Sequence, residues 1–251
     1  MAKIITFINE KGGIGKTSTC FNVAWELSKT KKVLMVDMDG QRANLTYFCG
    51  IKKPDDLMTI ADVLKKGKST TEAIMEIKKN LHIVPATVDV ADISQTVKVK
   101  KMKDSLKEVT DNYDYIFIDV NPSPDWRHYL SLSASDYALV IMLPDMASLE
   151  ADNGILESIE EVKETSNPNL KVLGIVFNRN EERSNMSKQV KTLADKFAAK
   201  MGTKVFQSKI RNAVALGEVA YIHEGVTDYD SKSAVADDVR ALVKELVKES
   251  K

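Results

Sequence analysis

"IITFINEKGGIGKTSTCFNVAWEL", residues 4–27, is the stretch that decides the fold. It opens with the apolar run 4–8, passes through a glycine-rich turn, and enters a stretch with helical spacing at 17–29. Strand, glycine turn and helix in that order form a phosphate cradle. The glycines let consecutive backbone N–H groups converge on phosphate oxygens, and the helix N-terminus adds its dipole. Gly15-Lys16-Thr17 closes the usual G-x-x-x-x-G-K-[ST] pattern, but Glu10 stands where that pattern begins with glycine. What the chain carries is Lys11-Gly12-Gly13-Ile14-Gly15-Lys16-Thr17-Ser18, of the form K-G-G-x-G-K-[ST]-[ST], with a second lysine where the strand ends. Lys16 is expected to reach the β/γ-phosphates of a nucleotide, and the Thr17 hydroxyl to hold Mg²⁺. A glycine-rich turn with chance lysines is the plainer reading. Three glycines and two lysines between a strand and a helix weigh against it.

Working outward, apolar runs at 33–37, 81–85, 115–119, 137–143 and 172–177 repeat the strand pattern of 4–8. Continuous apolar runs are what parallel strands covered on both faces require. Helical patterns lie between and after them at 59–66, 92–110, 147–165, 185–200 and 234–249. The alternation predicts an α/β protein with a single doubly wound, mostly parallel sheet and helices on both faces. No long linker, repeat or low-complexity tract interrupts it, so residues 1–251 are read as one domain.

Composition limits the function classes. The chain has 251 residues, 43% hydrophobic and 29% charged, with Lys+Arg and Asp+Glu both 36. That is ordinary for a globule with a real core, and any nucleic-acid contact needs a local basic patch rather than bulk charge. Cys20 and Cys49 make neither a disulfide framework nor a metal quartet. No leader pattern is visible, and no apolar run approaches the ~20 residues of a membrane span, so the expected location is cytoplasmic.

Two carboxylate motifs follow the loop. "VLMVDMDGQRANL" (33–45) places Asp37 and Asp39 at the end of the second strand pattern, at the sheet edge where ligands bind in such folds. They could face the Mg²⁺ or attacking water of a nucleotide, or they could cap a helix. "YDYIFIDVNPSP" (113–124) is an apolar strand ending in Asp119, similar to a Walker B strand. The order of loop, Asp-x-Asp and apolar strand–Asp says more than any one piece.

With these motifs in place the chain resembles the MinD/ParA group of P-loop ATPases, most closely the small Soj-like DNA-partition ATPases. "FNVAWEL" follows the loop, and "VDMDGQRANLT" stands for V-D-x-D-P-Q-G-N. "IDVNPSP" stands for I-D-x-P-P-S, "SLEADNGILESI" (148–159) for an A-L-E-G helix, and "GIVFNRNEERS" (174–184) precedes a helical stretch. The resemblance implies ATP and Mg²⁺ as cofactors and a nucleotide-sandwich homodimer. In it Lys11 reaches the partner's phosphates, much as an arginine finger is supplied in trans. It further implies that Asp39 places the attacking water and that Asp37 and Asp119 stand in the Mg²⁺ shell. Asn178 would lie near adenine, and Glu150 would reach the partner's nucleotide. Gly40, Asn121 and Ala151 depart from the family's usual proline, proline and glycine, without removing a charged group.

Other branches lack their signatures here. Cysteines placed for an Fe–S cluster, a C-x-x-C pair and a terminal tyrosine cluster are all missing. The last helix carries Val235, Val239, Leu242, Val243, Leu246 and Val247 on one stripe without Phe or Trp, which suits packing on its own domain rather than a lipid anchor. The chain starts at its first strand, so an operator-reading segment is not expected. The resulting expectation is an ATPase that dimerises on ATP, binds DNA non-specifically on the nucleoid, and is released when a ParB-like centromere-binding protein stimulates hydrolysis. The alternative is an ATP-gated adaptor or positioning protein of the MinD type, acting through protein or membrane partners without DNA. Arg183, Lys188, Lys209 and Arg211 are the expected DNA contacts. The run Lys98, Lys100, Lys101, Lys103 and Lys107 is either a second candidate or a solvated helix face.

Overall fold

The run 4–8 becomes strand β1 (Lys3–Ile8) of a seven-stranded sheet in the computed structural model. The structure describes residues 1–39, 45–52, 57–145, 153–180 and 188–251, the side chains of Asn153 and Lys188 excepted. The further strands are β2 (Val33–Met38), β3 (Met75–Lys78), β4 (Leu81–Val84), β5 (Tyr115–Val120), β6 (Tyr137–Met142) and β7 (Lys171–Phe177). They lie in the order β3-β4-β2-β5-β1-β6-β7, every pair parallel except β3 with β4. The described helices are α1 (Lys16–Leu27), α2 (Leu45–Phe48), α3 (Ile60–Lys66), α4 (Lys100–Lys107), α5 (Trp126–Ala134), α6 (Asn153–Thr165), α7 (Lys188–Lys200), α8 (Ala215–Ile222), α9 (Val226–Tyr229) and α10 (Ala234–Glu249).

Alternate residues of each strand feed two apolar layers, because successive side chains of a strand point to opposite faces. Ile4 and Ile8 of β1 pack with α3 to α7, whereas Ile5 and Phe7 pack with α1, α2 and α8 to α10. Phe7 and Phe117 meet edge to face across the central strands, with centroids 5.2 Å apart. That geometry is worth about 0.5–1.5 kcal/mol beyond the area the rings bury. The apolar stripe of α10, with Val235, Val239, Leu242, Val243 and Leu246 buried, is spent on this second layer against α1. Among the described residues no helix is long and apolar enough to cross a membrane.

The strand pattern holds at every run, while the helix limits differ. Instead of one helix over 92–110, a 3-10 turn (Val88–Asp92) is followed by α4 and a second 3-10 turn (Thr110–Asn112). Ser94 and Thr96 join hydroxyls at 3.0 Å, a local bond that competes with helical pairing. Beyond β7 the chain returns and lies along that strand's free edge. Ile175 N–H donates to Lys204 O at 3.0 Å, Phe206 N–H to Ile175 O at 2.8 Å, and Ile210 N–H to Phe177 O at 2.9 Å. Gly174 permits this approach, since a Cβ there would collide with the Phe206 ring.

Candidate functional site

The loop that leaves β1 is tied down at both ends by side chains the sheet itself positions. Asn9, buried, donates through Nδ2 to Ile141 O at 2.8 Å and accepts the Lys11 N–H at 2.7 Å. Lys16 Nζ folds back to Lys11 O at 3.2 Å. Gly13 and Gly15 adopt φ of +73° and +90°, which a side chain would oppose. At Gly15 there is a second reason: the Asn178 amide occupies the space where a Cβ would stand, and donates to Ile14 O at 2.7 Å. The Lys16 ammonium is held below its ordinary range by burial, against the opposing pull of Asp119 and Asp39. A buried lysine with an uncompensated desolvation penalty favours an anion beside it.

Three carboxylates converge below the loop. Asp37 and Asp119 are register partners on β2 and β5, so their side chains share a face at the C-terminal edge. Thr17 Oγ1 donates to Asp119 Oδ2 at 2.7 Å, while Asp119 Oδ1 is buried without a partner among the described residues. Burial, aided by the Asp37 charge, pushes the Asp119 carboxyl up to about 8. Asp37 is also raised, to about 7, chiefly by burial and against the hydrogen bonds it accepts. Its Oδ1 takes the Asp39 N–H at 2.9 Å, and its Oδ2 takes Thr46 N–H at 2.8 Å and Thr46 Oγ1 at 2.6 Å. Asp37 therefore fastens the chain after β2 to α2 and adds negative field beside Asp119. Asp39, half-buried, has its backbone held by that same bond and lines the cleft with the loop's glycines.

Above the buried Asp37 and Asp119 opens a cleft of about 620 Å³, lined by Gly12 to Ser18, Asp39 and Asn178. Tyr47, Arg179 and the 212–217 segment complete it. Those last residues were not singled out from the sequence. Asn180 and Arg211 form an isolated bridge that brings the "FNRN" and "KIRN" segments together, and only that long-range pairing reveals the wall. Tyr47 sits edge-on to Tyr221 at 6.4 Å, on a rim where Val214 is 81% and Tyr221 76% exposed.

The remaining candidates fall in different places. Lys11 is half-buried, and its backbone ties the loop together, the N–H donating to Asn9 and the carbonyl accepting from Lys16. Glu10 beside it accepts the Ser158 hydroxyl at 2.9 Å, joining the loop to α6. Glu150 and Arg183 lie outside the described residues, as does the side chain of Lys188, whose backbone opens α7. Lys209 is half-buried on the segment along β7. Arg211 makes a two-pronged ion pair with Asp238, Nε at 2.6 Å and Nη2 at 2.9 Å, so its guanidinium is committed within the fold.

A strand–glycine loop–helix unit at the C-terminal edge of a parallel sheet, with Walker-type aspartates beside it, defines a P-loop protein. A family model described as an AAA domain matches residues 2–172. The chain is 31% identical to the chromosome partitioning protein ParA of Myxococcus xanthus, over 99% of this chain and 89% of that protein. It is equally 31% identical to the sporulation initiation inhibitor protein Soj of Bacillus subtilis, over 98% of both chains. The septum site-determining protein MinD of Pyrococcus horikoshii, complexed with Mg-ADP, superposes with a TM-score of 0.79 at 23% identity, over 98% of this chain and 96% of that one. The chain belongs to the ParA-type P-loop ATPases.

Proposed function

We propose that this protein is an ATP-hydrolysing DNA-partition ATPase that pairs with a second copy on ATP and Mg²⁺ and binds DNA without regard to sequence. Hydrolysis stimulated by a ParB-like partner would release it, which makes the nucleoid its working surface. The observation that carries the reading is that Lys16, Thr17 and Asp39 line one cleft, with the buried Asp119 bonded to Thr17 beneath it. The residues fit the two cofactors. The buried Lys16 ammonium and the glycine N–H groups supply the charge a triphosphate needs. The Thr17 hydroxyl and the unpartnered Asp119 Oδ1 supply hard oxygen donors for Mg²⁺. Thr17 would hold the ion and Asp119 would orient it, with Asp37 adding field from behind. Mg²⁺ bound there would neutralise charge on the phosphates. Asp39 would accept a hydrogen bond from the attacking water, and Asn178 would fix the loop under the base. Lys11 would act on the cleft of the second copy.

A second reading, an ATP-gated adaptor without DNA, draws on the exposed apolar rim of Val214, Tyr221 and Ile222, which suits a protein partner. One experiment separates the two. ATP-loaded protein is titrated with random-sequence duplex at several salt concentrations, with ADP as control. ATP-dependent binding whose affinity falls linearly with log salt supports the partition ATPase. ATP-dependent dimerisation with no duplex binding at any salt gives the adaptor instead.

A further inference from the structure

At the opposite end of the strands from the nucleotide cleft lies a second concavity of about 460 Å³, lined in part by Lys3, Lys103, Lys107 and Lys171. We propose that this basal cleft and the lysine face of α4 leading into it are the surface that takes the phosphate backbone of double-stranded DNA. The inference rests on the DNA-binding part of the function proposed above and places its contacts on a surface other than the 183–211 region.

Geometry supports it first. Lys100, Lys103 and Lys107 fall at i, i+3 and i+7, on the side of α4 away from its buried Met102, Ser105 and Leu106. Side chains three and four residues apart stand about 5–6 Å from one another on a helix surface, a spacing suited to successive phosphates. The stripe runs into the cleft, where Lys171 of β7 and Lys3 of β1 continue it. The Lys3 amine itself also donates to Ser250 O.

Local energetics give the second, independent observation. Lys100, Lys101 and Lys103 crowd the first turn of α4, with Lys98 just before it, and that turn has no acidic residue and no side-chain N-cap. The N-terminal end of a helix is its positive pole, so cations there are disfavoured where anions would help. Such a local conflict marks a site whose charge serves a ligand rather than the helix.

The neighbouring acids leave that charge largely uncompensated. Glu108 is turned away, accepting from Ser69 Oγ and Thr70 N–H, both at 2.9 Å. One oxygen of Asp136 accepts the Ile4 N–H at 2.9 Å. Asp104 approaches Lys107 only at 3.7 Å, and Asp111 the terminal amine at 3.8 Å, both pairs well exposed. Single ammonium groups, with no arginine among the described residues of the cleft, fit backbone contact and not base reading. Among the described residues the cleft offers no exposed large apolar side chain apart from Met1, which argues against a lipid surface.

The test uses the full chain with Lys103→Glu, Lys107→Glu and Lys171→Glu combined, beside a milder version with all three changed to Gln. Binding of ATP-loaded protein to a random-sequence duplex is followed against salt. Three lost phosphate contacts should lower the slope of log K against log salt by about 2.7 and weaken binding at least tenfold near physiological salt. ATP affinity should be unchanged in both. Wild-type binding that both triple variants match in slope and affinity overturns the basal surface while leaving the partition reading intact. A wild-type protein that ignores duplex but sediments with phosphatidylserine vesicles overturns both.

Discussion

Lys16 is the residue on which the nucleotide reading turns. Its ammonium is buried, displaced from its ordinary range by that burial, and held by a single carbonyl at 3.2 Å. A phosphate offers it stronger, charge-assisted bonds than the loop does. Lys16→Ala is therefore expected to weaken ATP binding roughly ten- to a hundredfold, the loss of a hydrogen bond to a charged group. Calorimetric titration with ATP measures it, and an affinity within about threefold of wild type would remove Lys16 from the phosphate site. At this scale the sequence was informative wherever chemistry is local. The loop was legible because glycines and lysines at fixed spacing between a strand and a helix have few other uses. The carboxyl ends of β2 and β5 marked Asp37 and Asp119, but not that Asp37 spends its oxygens on Asp39 and Thr46 among the described residues. Arg211 was legible only as a charge. Its partner Asp238 stands 27 residues later on α10, and nothing in the local pattern announces the pair.

Elements are secured to one another by a few polar knots, of which Asp228 on α9 is the most heavily used. It accepts the Trp25 indole N–H at 2.8 Å and pairs with Lys29 at 2.6 Å and Lys78 at 3.7 Å. Lys78 also lies 3.9 Å over the Trp25 ring, so α1, α9 and the edge strand β3 meet at one point. Burial alone would raise the Asp228 carboxyl, but the bonds from Lys29 and Trp25 override it and hold it below the ordinary aspartate range. A carboxyl depressed in the folded state stabilises fully above the unfolded pKa, near 4, and that stabilisation is lost as pH falls through the folded value. Asp228→Asn should thus cost about 1–2 kcal/mol near pH 7, modest because the site is partly exposed. The gap to wild type should close in acid below pH ~4. Urea melts at pH 7 and pH 3 check this, and an equal gap at both would deny the carboxylate its role. The same scale shows why helix limits were harder to read than strands. Buried parallel strands need unbroken apolar runs, whereas α5 hides behind "NPSPD" and shows itself only by its Asp125 N-cap. Strand β3, four half-exposed residues on the antiparallel edge, carries no buried face to betray it.

For the whole molecule, the placement of Lys11 sets the question of how many subunits complete one site. Among the described residues Lys16, Thr17 and Asp39 line the chain's own cleft, and Lys11 does not. If Lys11 serves a second copy, each cleft needs Asp39 from one subunit and Lys11 from the other. Lys11→Ala and Asp39→Ala should each bind ATP and each lose hydrolysis by orders of magnitude, because both groups act in the chemical step. Asp39→Ala is expected to accumulate as an ATP-bound dimer. Mixing the two variants in equal amounts then gives a decisive readout. Half of the dimers are mixed, and in each mixed dimer one cleft has its own Asp39 and receives an intact Lys11 from its partner. The other cleft lacks both. Turnover should recover to about a quarter of wild type, the fraction of complete clefts expected for random pairing of two-fold dimers. Were Lys11 to act within its own chain, no cleft in any mixture would be complete, and the mixed sample would stay as inactive as either variant alone. Partner-stimulated phosphate release from the mixture, measured against the two separate variants, distinguishes these outcomes.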